Sequence, residues 1–281
     1  MTVNNYHTHS LYCDGKDPLP LYVQEAEQRH IQQLGFSAHA PLPFDNNFSI
    51  KMEDMPAYTS EIDRLQSTTS VTLLKALECD FVPGISYPFA ELKANHHLDY
   101  IIGGVHLVRP ANSDELWFID GPKRETYDEG LENLFDHNIK RAVTTFWEQT
   151  FEMIETQPMD IIAHVDKIKM HNQHRFFQED EQWYRILADK ALQLIKSHDL
   201  IMEVNTRGIY KKRCDALYPS VEMLQKARRM DIPVIISSDA HQAKEIDLLF
   251  EEAYEVLRQC GYEHLMHFDV QKGSFVCQNP A

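Results

Sequence analysis

The chain lacks the sequence features of several large protein classes. Its 281 residues include only five cysteines, which are scattered and form no C-x-x-C pair, so neither a disulfide framework nor a thiolate zinc site is expected. No run of about 18 apolar residues is present. The N-terminus is polar from its second residue, which indicates no secretory signal. We therefore expect a cytoplasmic protein with no membrane partner.

Positive charge is also scarce. The sequence has 27 lysines and arginines against 43 aspartates and glutamates, which gives a net charge of −16, and it contains no basic block. Proteins that bind nucleic acid along many phosphates usually present a basic face, so we expect no nucleic-acid partner. A local cation site can still attract a small phosphorylated metabolite. The 15 histidines make metal ligands the first residues to look for.

Short apolar runs alternate with amphipathic segments along the chain. Seven runs are predicted to be strands: VNNYHTH (3–9), GFSAHA (35–40), VTLLKALECD (71–80), YIIGGVH (100–106), DIIAHV (160–165), LIMEVNT (200–206) and VIISSDA (234–240). Helical stretches are predicted at 130–155, 181–198, 220–230 and 245–260. This alternation predicts parallel strands with right-handed crossovers in one α/β domain of residues 1–281.

Two further elements are predicted near the ends of the chain. Asp17 and Pro18 predict the start of a first helix, whose apolar spacing continues to Leu34 and which Gly35 can end. The stretch FDVQKGSFV (268–276) predicts a small hairpin.

Polar side chains that are unusual in buried strands sit at the C-terminal ends of those strands or in the loops just beyond. They are His7, His9, Asp14, His39, Glu78, His106, His164, Asp239 and His241, with Asn205 at the end of the sixth strand and Arg207 beyond it. In parallel β/α folds the C-terminal ends of the strands form one shared mouth. His7 and His9 are two residues apart on a strand and therefore point to the same face. We expect all these side chains to lie together at this mouth.

Such a cluster is best explained by divalent cations. Nine crowded polar groups without partners are costly to bury, and the three carboxylates among them repel one another. Imidazole and carboxylate together suit Zn, Mn or Fe, and the set is large enough for two or three ions with Glu78 as a bridge. Adjacent metals activate water and stabilise phosphoryl oxygens, so hydrolysis of a phosphate ester is the natural chemistry.

Each member of the cluster also has a structural interpretation when it is taken alone. An H-x-H pair is commonly a pair of surface or core histidines, and Glu78 alone can be a satisfied buried carboxylate. Asp239 and His241 can cap a following helix. The joint placement at the ends of six of the seven predicted strands favours ligands.

In this order the motifs resemble those of the PHP (polymerase and histidinol phosphatase) superfamily. The motifs are HTHS with Asp14 downstream, His39 after the second strand, ECD at Glu78, GGVH at His106, AHVD at His164 and SSDAH near the end. The resemblance implies a distorted (β/α)7 TIM-like barrel with a trinuclear metal centre. It assigns His7, His9, Glu78 and Asp239 to one ion, Glu78, His106 and His164 to a second, and Asp14, His39 and His241 to a third. Ala38 departs from the family, in which an acidic residue often precedes the histidine.

Within the superfamily, the chain length and the stretch EVNTRGIYK (203–211) look similar to stand-alone histidinol-phosphate phosphatases. The resemblance implies hydrolysis of L-histidinol phosphate to L-histidinol and phosphate, in histidine biosynthesis. Glu78, Asp14, His39 and Arg207 are the implied catalytic residues. The guanidinium of Arg207 suits a phosphate oxygen, although a surface arginine next to a turn is the alternative.

The sequence alone does not decide which residues contact the substrate or exclude every other function. The loop HNQHRFF (171–177) is a candidate lid, and His171 and Arg175 are candidate substrate contacts. The nearest rival is a PHP phosphoesterase for another phosphomonoester or a nucleotide. An amidohydrolase-like enzyme usually has a bridging lysine on a middle strand, and none is predicted here. A non-catalytic binding module is disfavoured by the full ligand set. The oligomeric state is open.

Overall fold

The computed structural model describes residues 3–111 and 113–277. Its strands are β1 (Val3–Asn5), β2 (Ile31–His39), β3 (Thr72–Asp80), β4 (Tyr100–Gly104), β5 (Leu107–Val108), β6 (Trp117–Phe118), β7 (Ile161–Ile162), β8 (Ile201–Asn205), β9 (Val234–Ser237), β10 (Met266–Asp269) and β11 (Ser274–Cys277). Its α-helices are α1 (Leu19–Gln28), α2 (Met55–Gln66), α3 (Phe89–Asn95), α4 (Arg124–Phe135), α5 (Ile139–Thr156), α6 (Gln182–Ser197), α7 (Arg207–Tyr210), α8 (Val221–Arg229) and α9 (Phe250–Gln259).

Seven strands form a parallel sheet that nearly closes on itself. The strand order is β1-β2-β3-β4-β7-β8-β9, so each strand lies beside the next barrel strand along the chain. An isolated parallel bridge between Thr8 and Ala240 joins the segments after β1 and β9. The predicted (β/α)7 TIM-like architecture, with seven strands in parallel, is confirmed.

The longer helices pack against the sheet from outside with one face buried. On α5 the buried residues recur at helical spacing, from Ala142 and Phe146 to Ile154, and the side chain of Asn138 caps its first turn by accepting from the N–H of Arg141. None of the helices in the described part of the chain is long and apolar enough to cross a membrane.

Three predicted helices have different bounds in the structure, and the one predicted at 245–260 is α9, which begins only at Phe250. The first helix was expected to reach Gly35, and this is wrong: α1 ends at Gln28, while Leu34 is a buried residue of β2. His30 adopts a φ of +57°, which ends the helix, and burial of β2 overrides the helical spacing of its apolar residues. The single helix predicted at 130–155 is two helices, α4 and α5, separated by a turn.

The interior of the barrel is apolar at its N-terminal end. Tyr6, Ile161, Ile201 and Ile235 belong to one buried cluster there, and Phe268 of the C-terminal hairpin packs into the same cluster. The β10–β11 hairpin, which confirms the prediction for residues 268–276, thus covers this end. The C-terminal end of the barrel carries the polar residues.

Candidate metal centre

Glu78 lies at the middle of the cluster at the C-terminal mouth of the barrel. Its Oε2 atom is 3.1 Å from Nε2 of His7 and 3.1 Å from Nδ1 of His39. Its Oε1 atom is 2.9 Å from Nε2 of His164 and 3.3 Å from Nε2 of His106. Imidazoles that follow four different strands therefore converge on one carboxylate.

Two further carboxylates complete the cluster. Oδ1 of Asp239 is 3.3 Å from Nε2 of His9 and 3.4 Å from Nδ1 of His241. Oδ1 of Asp14 is 3.2 Å from Nε2 of His241 and 3.8 Å from Nε2 of His39. The structure thus brings together all nine residues that the sequence places at the strand ends.

Within the described residues, several atoms of this cluster are buried and have no hydrogen-bond partner. They are Nε2 of His7, Nε2 of His9, Oδ1 of Asp14, Nδ1 of His39 and Nδ1 of His106. Three groups of ligand atoms are compact enough to hold an ion: His9 with Asp14, His39 and His241; His7 with His9 and Asp239; and His39 with Glu78 and His106. Unpartnered lone pairs that face one another are what divalent cations satisfy, so the donor set fits metal ions.

The electrostatics of the cluster agree with a site that binds cations. Burial alone would raise the pKa of Glu78, but the imidazoles of His7 and His106 hold this pKa well below its usual range. Burial lowers the pKa of His9 well below its ordinary value, and the rings of His241 and His39 lower it further. The ionised form of Glu78 and the neutral form of His9 are the forms that ligate metals. Burial would lower the pKa of His7 and of His106, but the acidic side chains beside them raise both values, so a cation that binds these two rings must displace a proton.

The loop after β1 is held in a tight conformation that places Asp14. A Cβ atom on Gly15 would lie 2.4 Å from the backbone nitrogen of Ser10, so only glycine fits there. The next residue, Lys16, donates its backbone N–H to the carbonyl of His241 at 2.7 Å. The loop therefore folds back over His9 and brings Asp14 to the segment after β9.

A cavity of about 300 Å³ opens above the cluster. It is lined by Asp14, Lys16, His39, Phe48, His106, Phe118, Asp120, Gly121, Pro122, Lys167, Arg207, Lys211, Arg213, Asp239, His241 and Gln242. The rings of Phe48 and Phe118 stack at a centroid distance of 6.0 Å. The cavity therefore combines the candidate metal ligands with cationic side chains and an aromatic wall.

Arg207 lines this cavity, as the sequence leads one to expect. Its Nη1 donates to the backbone carbonyl of Asp239 at 2.6 Å, and its Nε lies 3.9 Å from Oδ2 of the same residue. The guanidinium is thereby fixed beside the cluster.

Two functional candidates were missed by sequence reasoning. Nζ of Lys167 is 2.8 Å from Oδ2 of Asp120 and 3.7 Å from Oδ2 of Asp239, and both Lys167 and Asp120 line the cavity. Burial would raise the pKa of Asp120, but the Lys167 ammonium lowers it to about 2. The position of Lys167, three residues after His164, is the only sequence signal for its place in the mouth.

His171 and Arg175 lie outside the cavity lining within the described residues. Nε2 of His171 donates to the carbonyl of Gly121 at 2.8 Å. The guanidinium of Arg175 makes a two-bond pair with Asp128, at 2.7 and 2.8 Å. Direct substrate contact by either residue stays a prediction.

The chain matches the PHP domain family model over residues 5–207. It is also similar to curated proteins over most of its length. A protein of Deinococcus radiodurans named "Probable histidinol-phosphatase" is 26% identical over 260 residues, which cover 91% of this chain and 92% of that protein. The histidinol-phosphatase of Bacillus subtilis is 23% identical over 269 residues, which cover 89% of this chain and 97% of that protein.

Solved structures share the fold. The histidinol phosphate phosphatase of Lactococcus lactis, solved in complex with Zn, L-histidinol and phosphate, aligns with a TM-score of 0.69 at 17% sequence identity. The alignment covers 98% of this chain and 99% of that one. The barrel and its order of elements are thus shared over almost the whole length.

Proposed function

The chain belongs to the PHP domain family, and from this premise we propose that it hydrolyses L-histidinol phosphate to L-histidinol and phosphate, a step of histidine biosynthesis. One observation carries the proposal that the site is a hydrolytic centre. Nine histidine, aspartate and glutamate side chains from around the barrel lie together at one mouth. Several buried ligand atoms of this cluster have no hydrogen-bond partner among the described residues. The similarity to curated histidinol-phosphatases along the chain supports the substrate.

We propose that the cluster holds two or three divalent ions, namely Zn, Mn or Fe. When bound, such ions supply Lewis-acid stabilisation of phosphoryl oxygens and a water of lowered pKa. The proposed ligands are the nine residues at the strand ends, shared among three sites as the family resemblance implies. Glu78 is the proposed bridging ligand because both of its oxygens face imidazoles.

Two cationic side chains are proposed to bind the phosphoryl group. Arg207 and Lys167 both line the cavity next to the Asp239 carboxylate. Their positive charges offset the negative charge that develops on the equatorial oxygens of the phosphoryl group. Both groups are held by contacts to the protein, so little reorganisation is needed as the charge develops.

The leaving alkoxide needs a proton or another form of stabilisation. Asp14 and His39 line the cavity beside the cluster, and the Asp14 side chain is 30% exposed. Burial would raise the pKa of Asp14, but the imidazoles of His241 and His39 hold this pKa well below its usual range, so Asp14 is ionised and suits a metal ligand. We propose that His39, or a water molecule at the centre, passes a proton to the leaving oxygen. A His39→Gln variant should then lose more activity on an alkyl phosphate than on an aryl phosphate, whose leaving group needs no proton.

A second candidate substrate class is favoured by the charge of the cavity. Lys16 and Arg213 line it in addition to Lys167 and Arg207. These cations suit a phosphomonoester with a further anionic group, such as a nucleotide that carries a second phosphate. The alternative proposal is therefore a PHP phosphoesterase for such an ester.

The decisive experiment is a comparison of kcat/KM across phosphate esters with the Mn- and Zn-loaded protein. We expect L-histidinol phosphate to exceed nucleoside monophosphates and sugar phosphates by at least about 100-fold, the discrimination that about 2.7 kcal/mol provides. A higher kcat/KM for a nucleotide would favour the alternative. Absence of turnover on every ester would refute a phosphatase.

A further inference from the structure

Glu203 is a buried carboxylate directly beneath the candidate metal centre. It lies on β8, in register with Ile235 of β9, and its side chain is 0% exposed. Ile201, two residues earlier on the same face, belongs to the apolar cluster inside the barrel. A charge in this place is costly unless it is fully hydrogen-bonded, so its contacts indicate what it does.

Four groups surround the two oxygens of Glu203. Oε1 lies 2.5 Å from Nδ1 of His7 and also accepts from the hydroxyl of Ser237. Oε2 accepts from the backbone N–H of His164 at 2.7 Å and from Nδ2 of Asn205 at 3.1 Å. An ionised carboxylate is an acceptor only, with room for about four donors. The carboxylate is therefore saturated, and its bond to His7 requires a proton on Nδ1.

The opposite nitrogen of His7 faces the cluster. Nε2 lies 3.1 Å from Oε2 of Glu78 and 3.9 Å from Oδ1 of Asp239, and it has no hydrogen-bond partner within the part of the chain that the structure describes. With the proton fixed on Nδ1, this lone pair points at two carboxylates. A cation between them would satisfy all three groups.

We propose that Glu203 is a positioning residue that fixes the Nδ1–H tautomer and the ring orientation of His7, and so prepares Nε2 to ligate a divalent cation. The inference rests on the proposed metal centre. A carboxylate behind a metal-ligating imidazole orients the ring and raises its basicity. Glu203 also accepts from the backbone N–H of His164, just beyond the neighbouring strand β7, so one side chain aligns two proposed ligands.

The first test needs no variant. We expect NMR of the zinc-loaded full chain, labelled with ¹⁵N-histidine, to show a proton on Nδ1 of His7. The chemical shift of this proton should be that of a strong hydrogen bond. The signal is assigned by its loss in His7→Gln. A His7 proton on Nε2, or a Nδ1 nitrogen without a proton, would overturn the proposal.

The second test measures the rate at which zinc leaves the loaded protein for a competing chelator. Glu203→Gln keeps the size of the side chain but removes the charge, and we expect zinc release from the site of His7 to become about 10–100-fold faster. Ser237→Ala is the matched control, since it removes one donor to Glu203 and leaves the bond to His7. It should stay within about 3-fold of wild type. A wild-type release rate in Glu203→Gln would overturn the proposal.

A double variant separates positioning from a purely structural role. If Glu203 acts through His7, then His7→Gln/Glu203→Gln should release zinc at the rate of His7→Gln alone. Additive effects of the two substitutions on the release rate would indicate that Glu203 only stabilises the packing of β8 against its neighbouring strands. Should Glu203→Gln fail to fold, the NMR measurement on wild type decides.

The outcomes also separate this inference from the proposed function. A wild-type chain that binds neither zinc nor manganese would contradict the metal centre itself. A chain that binds zinc normally and releases it at the same rate with and without the Glu203 carboxylate would refute only the positioning role.

Discussion

At the scale of single residues, Glu78 has the largest number of contacts in the candidate centre. Its side chain is 1% exposed, and its two oxygens face His7, His39, His106 and His164. No other carboxylate in the described cluster touches as many imidazoles. Its replacement is therefore the most informative single change.

We expect Glu78→Gln to lose detectable turnover and to retain fewer metal ions, because an amide cannot supply two anionic oxygens to a pair of cations. Steady-state kinetics with elemental analysis of the purified protein measures both. Glu222→Gln is the control, since Glu222 forms an exposed pair with Arg185 and should leave both quantities unchanged. A fully active Glu78→Gln protein with reduced metal would contradict the centre.

His171 gives a prediction about pH. Burial lowers the pKa of this ring, which donates from Nε2 to Gly121. The unfolded chain therefore takes up this proton before the folded chain does as the pH falls. Neutral His171 therefore contributes its full share of the stability at pH values above the ordinary histidine pKa. This contribution is lost as the pH falls below the ordinary pKa toward the lower pKa of the folded state.

His171→Gln keeps a donor but cannot titrate. Between about pH 7.5 and pH 5.5, its free energy of unfolding should fall less than that of wild type. Urea unfolding at the two pH values measures this difference. His198→Gln, at an exposed position, is the control, and its free energy of unfolding should fall by as much as that of wild type between the two pH values. An equal fall in all three proteins would show that His171 does not contribute.

The nine strand-end residues could be predicted from the sequence, because parallel strands bring their C-terminal ends to one mouth whatever their separation along the chain. Glu203 could not be assigned in this way. A glutamate inside the run LIMEVN signals a buried charge, but its partner His7 is 196 positions away. Asp120 lies on a loop and Lys167 begins a short 3-10 helix (Lys167–Lys169), and the course of both segments is set by packing.

At the scale of elements, the strands were easier to predict than the helix ends. Continuous apolar runs such as YIIGG identify strands buried on both faces. Ile31–His39 was only partly recognised, because the residues of β2 before Gly35 fit helical spacing as well as strand burial. Tertiary pairing with β3 decides between the two.

The loop from Ser10 to Lys16 supplies a prediction at this scale. In Gly15→Ala the added Cβ meets backbone atoms of His9 and Ser10 at 2.6 and 2.4 Å, so the loop must shift and Asp14 must move. We expect faster release of zinc and kcat/KM lowered by at least about 10-fold. Chelator competition and steady-state kinetics measure these effects.

Gly273→Ala is the control for backbone strain. Gly273 has a φ of +64° in the hairpin turn, and its added Cβ would meet nothing within 4 Å. This variant should lose about 1–2 kcal/mol of stability with unchanged zinc release. If Gly15→Ala behaves in the same way, the loop does not position Asp14.

At the scale of the whole molecule, the candidate centre connects segments from around the barrel. Its residues lie at or just beyond the C-terminal ends of β1, β2, β3, β4, β7 and β9, which are six of the seven barrel strands. Bound cations would therefore link most of the sheet at one end. Their removal leaves crowded carboxylates and unpartnered imidazole nitrogens inside.

We expect a chelator to lower the thermal midpoint of the zinc-loaded protein, and added zinc to restore it. A ligand present at about 100 times its Kd stabilises by about 2.7 kcal/mol, which corresponds to several degrees for a chain of this size. Differential scanning calorimetry measures the shift. The midpoint of Glu78→Gln should change less than that of wild type. A wild-type midpoint that the chelator leaves unchanged would contradict metal binding at the mouth.

The hairpin under the barrel has a consequence for the order of events in turnover. Because Phe268 and its neighbours fill the far end, the substrate and both products exchange through the cavity side. Under the proposed function, the phosphoryl end enters first and the organic part lies between it and solvent. The alcohol must then depart before phosphate can follow. Inorganic phosphate should accordingly inhibit in competition with substrate, whereas the alcohol should give a mixed pattern.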